Sequence, residues 1–259
     1  MGQRLGQHFL ADQQALHRIV DALALQPDDR VLEIGPGRGA LTAHLLNHVA
    51  HLDAVELDQA LVVGLQQRFG ARLQCHGTDC LAFNYEALAS KYGKPLRIVG
   101  NLPYYLSSPL LFYLYAVINH IYDIHVMLQR EFAERLAARP GSRQYGRLTV
   151  MSAPAVHARI LFHISPRSFS PPPKVASSFV RLTPLREPPF PINDRRHYAA
   201  VVARAFQQRR KTMRHTFKPY VGEEELRACG IEPAQRPEEL PPEAFARLAN
   251  LPGVFPETL

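Results

Sequence analysis

The sequence predicts an α/β fold: a mainly parallel sheet covered by helices on both faces, then a small all-helical domain. Three observations carry this. Short apolar runs alternate with helix-patterned stretches over the first two-thirds of the chain. A glycine-rich turn follows the first run directly. Beyond Pro191 only helical periodicity remains.

Arg30 to Ile34 is the first strand, and Ala40 to Val49 the helical stretch after the glycine turn. Leu52 to Leu57 is the second strand, followed by a helix over Gln59 to Phe69. Arg72 to His76 and Leu96 to Val99 are the third and fourth strands. Pro109 to Ile118 reads as a buried helix and Ile121 to Leu128 as the fifth strand. Val156 to Ile164 and Ser177 to Leu182 read as a closing pair of strands, joined by the Pro-rich loop Ser170 to Lys174. Thr183 to Pro191 holds four prolines in nine residues, which neither a helix nor a central strand accepts. The expected division is therefore residues 1–185 for the sheet domain and 186–259 for the helical one. In the latter, Val202, Phe206, Met213 and Phe217 fall on one helical face. Arg204, Gln207, Lys211, Arg214 and Lys218 recur on another.

A chain of 259 residues accommodates one full domain and an appendage. With 46% apolar and 20% charged residues, disorder as the main state is excluded. The longest apolar run, Leu110 to Ile118, has nine residues against the roughly 20 a membrane span needs. The start of the chain carries no secretory or transit pattern, and Gly6 breaks the myristoylation pattern. Three cysteines, Cys75, Cys80 and Cys229, cannot build a disulfide framework, so a reducing cytoplasm is expected. Cys75, His76 and Cys80 lack a second ligand pair at zinc spacing, so no metal is expected. A monomer is expected.

The net charge is +7, unevenly distributed. Residues 130–218 hold 18 Lys/Arg against 4 Asp/Glu. Residues 1–129 hold 9 against 11, and residues 219–259 hold 3 against 8. A surplus gathered in one block suggests an anionic partner there, most often nucleic acid. Arg204, Lys211, Arg214 and Lys218 are its candidate phosphate contacts.

The strongest local signal is Glu33-Ile-Gly35-Pro-Gly37-Arg-Gly39, between a strand and a helix. Glycines there let the backbone approach a ligand, and the helix N-terminus presents free N–H groups. Glu56 ends the second strand, where a carboxylate accepts both hydroxyls of a ribose. The pair fits any adenosine-containing cofactor, and Gly35-x-Gly37-x-x-Ala40 also satisfies a dinucleotide fingerprint. Three details favour S-adenosylmethionine over NAD. Glu33 can approach a cationic ligand end and would repel a pyrophosphate. Asp79 follows the third strand, placed to accept from an adenine amine. The fourth strand ends in Asn101-Leu-Pro-Tyr104. All these groups lie at the carboxyl ends of strands, where such sheets bind ligands.

That tetrad suits methylation of an adenine amine, a poor nucleophile whose lone pair is delocalised into the ring. Asn101 can accept one N–H through its side-chain oxygen. The Leu102 carbonyl can accept the other, since Pro103 favours an extended conformation before it. Two acceptors favour the pyramidal nitrogen that attacks a sulfonium methyl. Tyr104 offers an aromatic face to a base that is unpaired or flipped out. Phe169, heading the stiff loop Phe169 to Ser177, either closes the second face of that base or packs inward.

Gly6-Gln-His-Phe-Leu10, Glu33-Ile-Gly-Pro-Gly37, Val55-Glu-Leu-Asp58, Asn101-Leu-Pro-Tyr104, Tyr145-Gly-Arg147, the Phe169–Ser177 loop and Phe206-Gln-Gln-Arg-Arg-Lys-Thr212 occur in this order. Together they resemble the bacterial small-subunit (16S) ribosomal RNA adenine dimethyltransferases of the KsgA/RsmA type. The resemblance covers nearly the whole chain. It implies a Rossmann-like S-adenosylmethionine-dependent methyltransferase domain with a small helical C-terminal domain that contacts RNA. It implies dimethylation of two adjacent adenosines near the 3′ end of the small-subunit RNA, in an assembling subunit. His8 and Leu10 would contact the methionine end of the cofactor, with Gly35 and Gly37 beneath it. Glu56 would hold the ribose and Asp79 the adenine amine, with Leu57 and Cys80 beside them. Asn101 would sit between cofactor and target. Leu5, His8 and Tyr105 depart from the family's usual Phe, Asn and Asn. The related large-subunit methyltransferases that confer macrolide resistance share fold and chemistry. The Phe169 loop and the Gln207–Lys211 tail favour the small-subunit type. A non-catalytic RNA-binding assembly factor would not need intact glycines, Glu56, Asp79 and Asn101.

Overall fold

The computed structural model of the protein describes residues 8–254, so Leu5, Gly6 and Gln7 of the N-terminal motif lie outside the described residues. The strands are β1 (Phe9–Leu10), β2 (Val31–Ile34), β3 (Leu52–Glu56), β4 (Leu73–Gly77), β5 (Leu96–Asn101), β6 (Ile121–Gln129), β7 (Val156–Ile164), β8 (Phe169–Ser170) and β9 (Ser177–Pro184). Seven form one sheet in the order β4-β3-β2-β5-β6-β9-β7. The pairs from β4 through β6 are parallel, and β9 joins β6 antiparallel. β2 and β3 are buried at every residue, as apolar strands covered on both faces require. Gly100 of β5 lies opposite Ile34, whose carbonyl oxygen would be 2.5 Å from any Cβ at that position. Only glycine lets these two strands close up there.

The covering helices include α1 (Gln13–Leu23), α2 (Ala40–Leu45), α3 (Gln59–Phe69), α4 (Tyr85–Tyr92) and α5 (Ser107–Ala116). Asp12 caps α1 by accepting from the Gln14 and Ala15 N–H groups at 2.9 and 3.2 Å. Leu16, Ile19, Val20 and Leu23 of α1 enter the core with Leu45, Leu52 and Phe179. At the opposite edge of the sheet from the carboxyl ends, buried Arg97 donates to both oxygens of Asp123 at 3.0 and 2.8 Å. It also donates to Asp29 at 2.6 Å and to the Leu23 carbonyl at 2.6 Å, satisfying its charge where water is excluded.

The chain divides into two compact units, and the division differs from the expected one at 185/186. The first comprises residues through Ala133 together with Ala158–Pro184; the second comprises Glu134–His157 and Leu185 onward. Its helices are α6 (Arg130–Leu136, only in part), α7 (Arg147–Ser152), α8 (Arg195–Gln207), α9 (Met213–Phe217), α10 (Glu223–Ala228) and α11 (Pro242–Ala249). Residues 134–157 belong there because Tyr145 and Val150, both fully buried, share a core with Tyr198, Val201, Phe217 and Phe245. The Tyr145 hydroxyl donates to the Leu240 carbonyl at 2.7 Å, and that of Tyr198 to the Val150 carbonyl at 2.9 Å. Val202, Met213 and Phe217 are buried in this core, with Phe206 packed against it.

The continuous helix implied by the 202–218 periodicity is broken at 208–212. The Met213 and Arg214 N–H groups donate to the Gln235 and Pro233 carbonyls, at 2.8 and 3.0 Å, instead of to the preceding turn. Thr212 then caps α9 by accepting from the His215 N–H.

Candidate active site

The glycine turn leaves β2 with Gly35, Gly37 and Gly39 all at positive φ, from +57° to +76°. The Gly35 N–H donates to the Val55 carbonyl at 2.9 Å, which folds the turn across the end of β3. A Cβ on Gly37 would lie 2.8 Å from the Phe9 ring, so Phe9 rests directly on the turn. The Arg38 guanidinium stacks over the same ring at 4.8 Å.

Glu56 ends β3 with 6% exposure. Its Oε2 accepts from the Gly37 N–H at 3.1 Å and its Oε1 from the Asp58 N–H at 3.0 Å. These bonds fix the carboxylate plane and leave further lone pairs toward the cavity. Glu33 is 2% exposed and accepts from the Thr42 hydroxyl at 2.7 Å. Burial pushes its pKa from 4.5 up to about 7; the Thr42 bond opposes this and the Glu56 charge adds to it. Asp79 Oδ1 accepts from the Leu81 N–H at 2.9 Å. The Cys80 thiol is pushed up to about 11, by burial first and then by the Asp79 charge, so it stays protonated and inert.

Asn101 is the last residue of β5, and its side-chain nitrogen donates to the His8 carbonyl at 2.8 Å. A carbonyl only accepts, so the amide nitrogen must face His8 and Oδ1 is the end left to accept. His8 thus acts here through its backbone, while its Nδ1 lies 2.8 Å from the Pro171 carbonyl and donates to it. Leu102 is 1% exposed and anchors the loop. Pro103 at φ −55°, ψ 131° directs the chain into a 3-10 turn over Tyr104–Leu106. The Tyr104 hydroxyl is 3.0 Å from Ser177 Oγ.

One cavity is lined by His8, Leu10, Glu33, Gly35, Gly37, Glu56, Leu57, Asp79, Cys80 and Asn101 through Tyr104. Phe169 is the exception among the candidates in this unit. It is 4% exposed, pairs with Leu10 across β1 and β8, and lies in the sheet core. Of the two readings open for Phe169, the structure shows the inward packing, and its place among the catalytic candidates is corrected accordingly. Tyr105, which departs from the family's usual Asn, also lines the cavity, as do Phe9, Arg38, Thr78 and Met127, which were not among the expected site residues. Phe9 stood in the N-terminal motif; Met127 had no local signal.

In the second unit Lys211 and Lys218 are exposed. Arg214 is paired with Glu223 at 3.1 Å, and Arg204 is half-buried over the Tyr220 ring at 6.0 Å. The helix break puts Arg204 on α8 and the others beyond it, so they do not form a single helical stripe. No cluster of three metal-ligating side chains occurs among the described residues, and none of the described helices is long and apolar enough to cross a membrane.

A family model described as ribosomal RNA adenine dimethylase matches residues 2–252. A Pseudomonas aeruginosa protein named ribosomal RNA small subunit methyltransferase A is 47% identical over 257 residues, covering 97% of this chain and 96% of that one. Its Hydrogenovibrio crunogenus namesake is 44% identical, covering 96% and 95%. Among solved structures, the 23S rRNA methyltransferase ErmE superposes with a TM-score of 0.75 at 25% identity, covering 93% and 98%. A dimethyladenosine transferase from Plasmodium falciparum gives 0.77 at 24%, covering 93% and 96%, a likeness of fold.

Proposed function

The chain belongs to the ribosomal RNA adenine dimethylase family, and from that membership and the site we propose how it works. It is an S-adenosylmethionine-dependent enzyme that dimethylates adenine in small-subunit ribosomal RNA. We propose as its targets two adjacent adenosines near the 3′ end, met in an assembling subunit, and a monomeric, cytoplasmic enzyme. Identity of 47% to a small-subunit enzyme, against 25% to a 23S enzyme of the same fold, favours this over the large-subunit alternative. The intact acceptors of the site favour an enzyme over a non-catalytic assembly factor.

The donor set fits the cofactor. Glu56 has lone pairs for ribose hydroxyls beyond those used by Gly37 and Asp58. Leu57, 52% exposed beside it, offers an apolar face to an adenine ring. Asp79 offers its carboxylate to the adenine amine. Glu33 places a second carboxylate in the lining, which favours a cation and disfavours a pyrophosphate. When bound, S-adenosylmethionine supplies an electrophilic methyl on a sulfonium. His8 and Leu10 would border the methionine end, with Gly35 and Gly37 beneath it.

Asn101 Oδ1 accepts one N–H of the target amine and the Leu102 carbonyl the other. The pair would hold the nitrogen pyramidal and its lone pair free to attack. No strong base is needed, because the amine proton becomes acidic only as the new bond forms. Tyr104 stacks on the target base, its ring steadied by Ser177. In the second unit, Lys211 and Lys218 contact phosphates, with Arg204 and Arg214 in support.

The observation that carries this mechanism is the Asn101–His8 bond, which turns an acceptor into the cavity. The test is transfer of labelled methyl to unmodified small subunits, with the modified bases mapped. Two adjacent dimethyladenosines near the 3′ end are expected. Label confined to large-subunit RNA, or none, overturns the reading.

A further inference from the structure

We propose that Tyr105 is the stacking platform for the base that flanks the target adenine, so that the site grips two successive nucleotides with two successive tyrosines. This rests on the methyltransferase reading above.

Tyr104 and Tyr105 open the 3-10 turn that leaves β5, and both line the cavity. In such a turn successive side chains diverge by about 120°, so the two rings take different directions. Tyr104 is half-buried and tethered to Ser177. Tyr105 is 62% exposed, the most exposed of the protein's large apolar side chains among the described residues. A large ring left in water at a cavity mouth has apolar area to gain by being covered.

The chemistry of the rim says what covers it. From Ile98 to Tyr122 the sequence has no Lys, Arg, Asp or Glu. The segment that carries Tyr105 therefore brings no charged side chain to phosphates, so it meets nucleic acid through ring faces. A base placed against Asn101 stays tied to its neighbour by one phosphodiester link. The neighbour must therefore lie just outside the mouth, and Tyr105 is the ring at that mouth. Stacking tolerates any base, so Tyr105 sets the position of the flanking nucleotide without reading its identity.

The test measures methyl transfer to unmodified small subunits by the full-length wild type, Tyr105→Ala and Tyr105→Phe. Loss of one stacked base is expected to raise KM by about tenfold in Tyr105→Ala. Tyr105→Phe, which keeps the ring, should restore the wild-type value. Binding of the alanine variant should weaken by the same factor at every salt concentration, because no phosphate contact is lost. Its S-adenosylmethionine affinity, by calorimetry, should be unchanged. Wild-type KM in Tyr105→Ala overturns the proposal, as does a parallel loss of cofactor affinity, which would assign the ring to the cofactor instead of the flanking base. A wild type that methylates no small-subunit adenine would instead overturn the functional reading, and this inference with it.

Discussion

Glu33 should destabilise the ligand-free protein at the pH where it works. Its carboxyl is buried with one hydrogen bond, from Thr42, and with the Glu56 charge nearby. Burial raises its pKa from 4.5 to about 7. Between those values the folded state holds a proton that the unfolded state has released. Stability therefore falls as pH rises through that window and levels off above it. A rise of this size corresponds to roughly 3 kcal/mol lost by pH 8. Glu33→Gln keeps an oxygen for the Thr42 hydroxyl and removes the titration. Urea denaturation of both proteins without ligand, at pH 5 and pH 8, measures the difference. Near-equal stability is expected at pH 5, with the variant more stable by up to about 3 kcal/mol at pH 8. Cofactor affinity should move the other way: a cation favours ionised Glu33, so wild-type binding strengthens toward pH 7 and the variant binds more weakly without that rise. The same stability difference at both pH values would refute the reasoning.

Asn101→Ala should lower turnover by about a hundredfold or more, the usual loss for one preorganised polar group, with a smaller change in cofactor affinity. Near-normal dimethylation would remove Asn101 from the mechanism. Glu56→Ala should weaken S-adenosylmethionine by one to two decades, from the ~1.5–3 kcal/mol of charge-assisted hydrogen bonds. Calorimetry reports it, and an unchanged Kd would move the ribose contact elsewhere. Lys211→Glu should weaken RNA binding and flatten its salt dependence by about one unit. Arg214→Glu should flatten it less, because that guanidinium is already paired with Glu223. A salt series on each variant checks both, and wild-type slopes would make this a solubility surface.

Signals confined to a few neighbouring residues were legible in the sequence. The strand ending at Ile34, the turn to Gly39 and the strand ending at Glu56 are local in this sense, and each stands where its pattern put it. What depends on distant partners was not legible. Tyr145 is buried through contacts with residues some 50 to 100 positions away, which no window around it contains. The assignment of 134–157 to the second unit went unseen for that reason. Strands β1 and β8 have two residues each, too short for any periodicity, yet their register decides that Phe169 meets Leu10 in the core. The Asn101–His8 bond spans 93 positions and depends on the same N-terminal segment. The basic helix was misread because its apolar spacing continues across the break, while the backbone partners that cause the break lie at Pro233 and Gln235.

The register of the central strands explains why these residues work together. Ile34 pairs with Val55 on one side and with Gly100 on the other. The next residue on each strand is then Gly35, Glu56 and Asn101, a single row across three neighbours. Adjacent strands lie about 4.8 Å apart, so Glu56 and Asn101 stand about 10 Å apart with Gly35 between them. On the proposed roles, a molecule held by its ribose at Glu56 would cross Gly35 to bring a reactive carbon to Asn101. Glycine is required at this position by its φ of +68°, and it leaves unfilled the space where a Cβ would stand 3.7 Å from the Asn101 carbonyl. Gly100 performs a prior service, since without the close approach to Ile34 the two strands could not align their ends. The separation between the group proposed to hold the cofactor and the group proposed to orient the amine is thus set by sheet spacing, which side-chain motion cannot alter. That rigidity is what preorganised acceptors require, because an acceptor free to drift would stabilise the planar amine as readily as the pyramidal one.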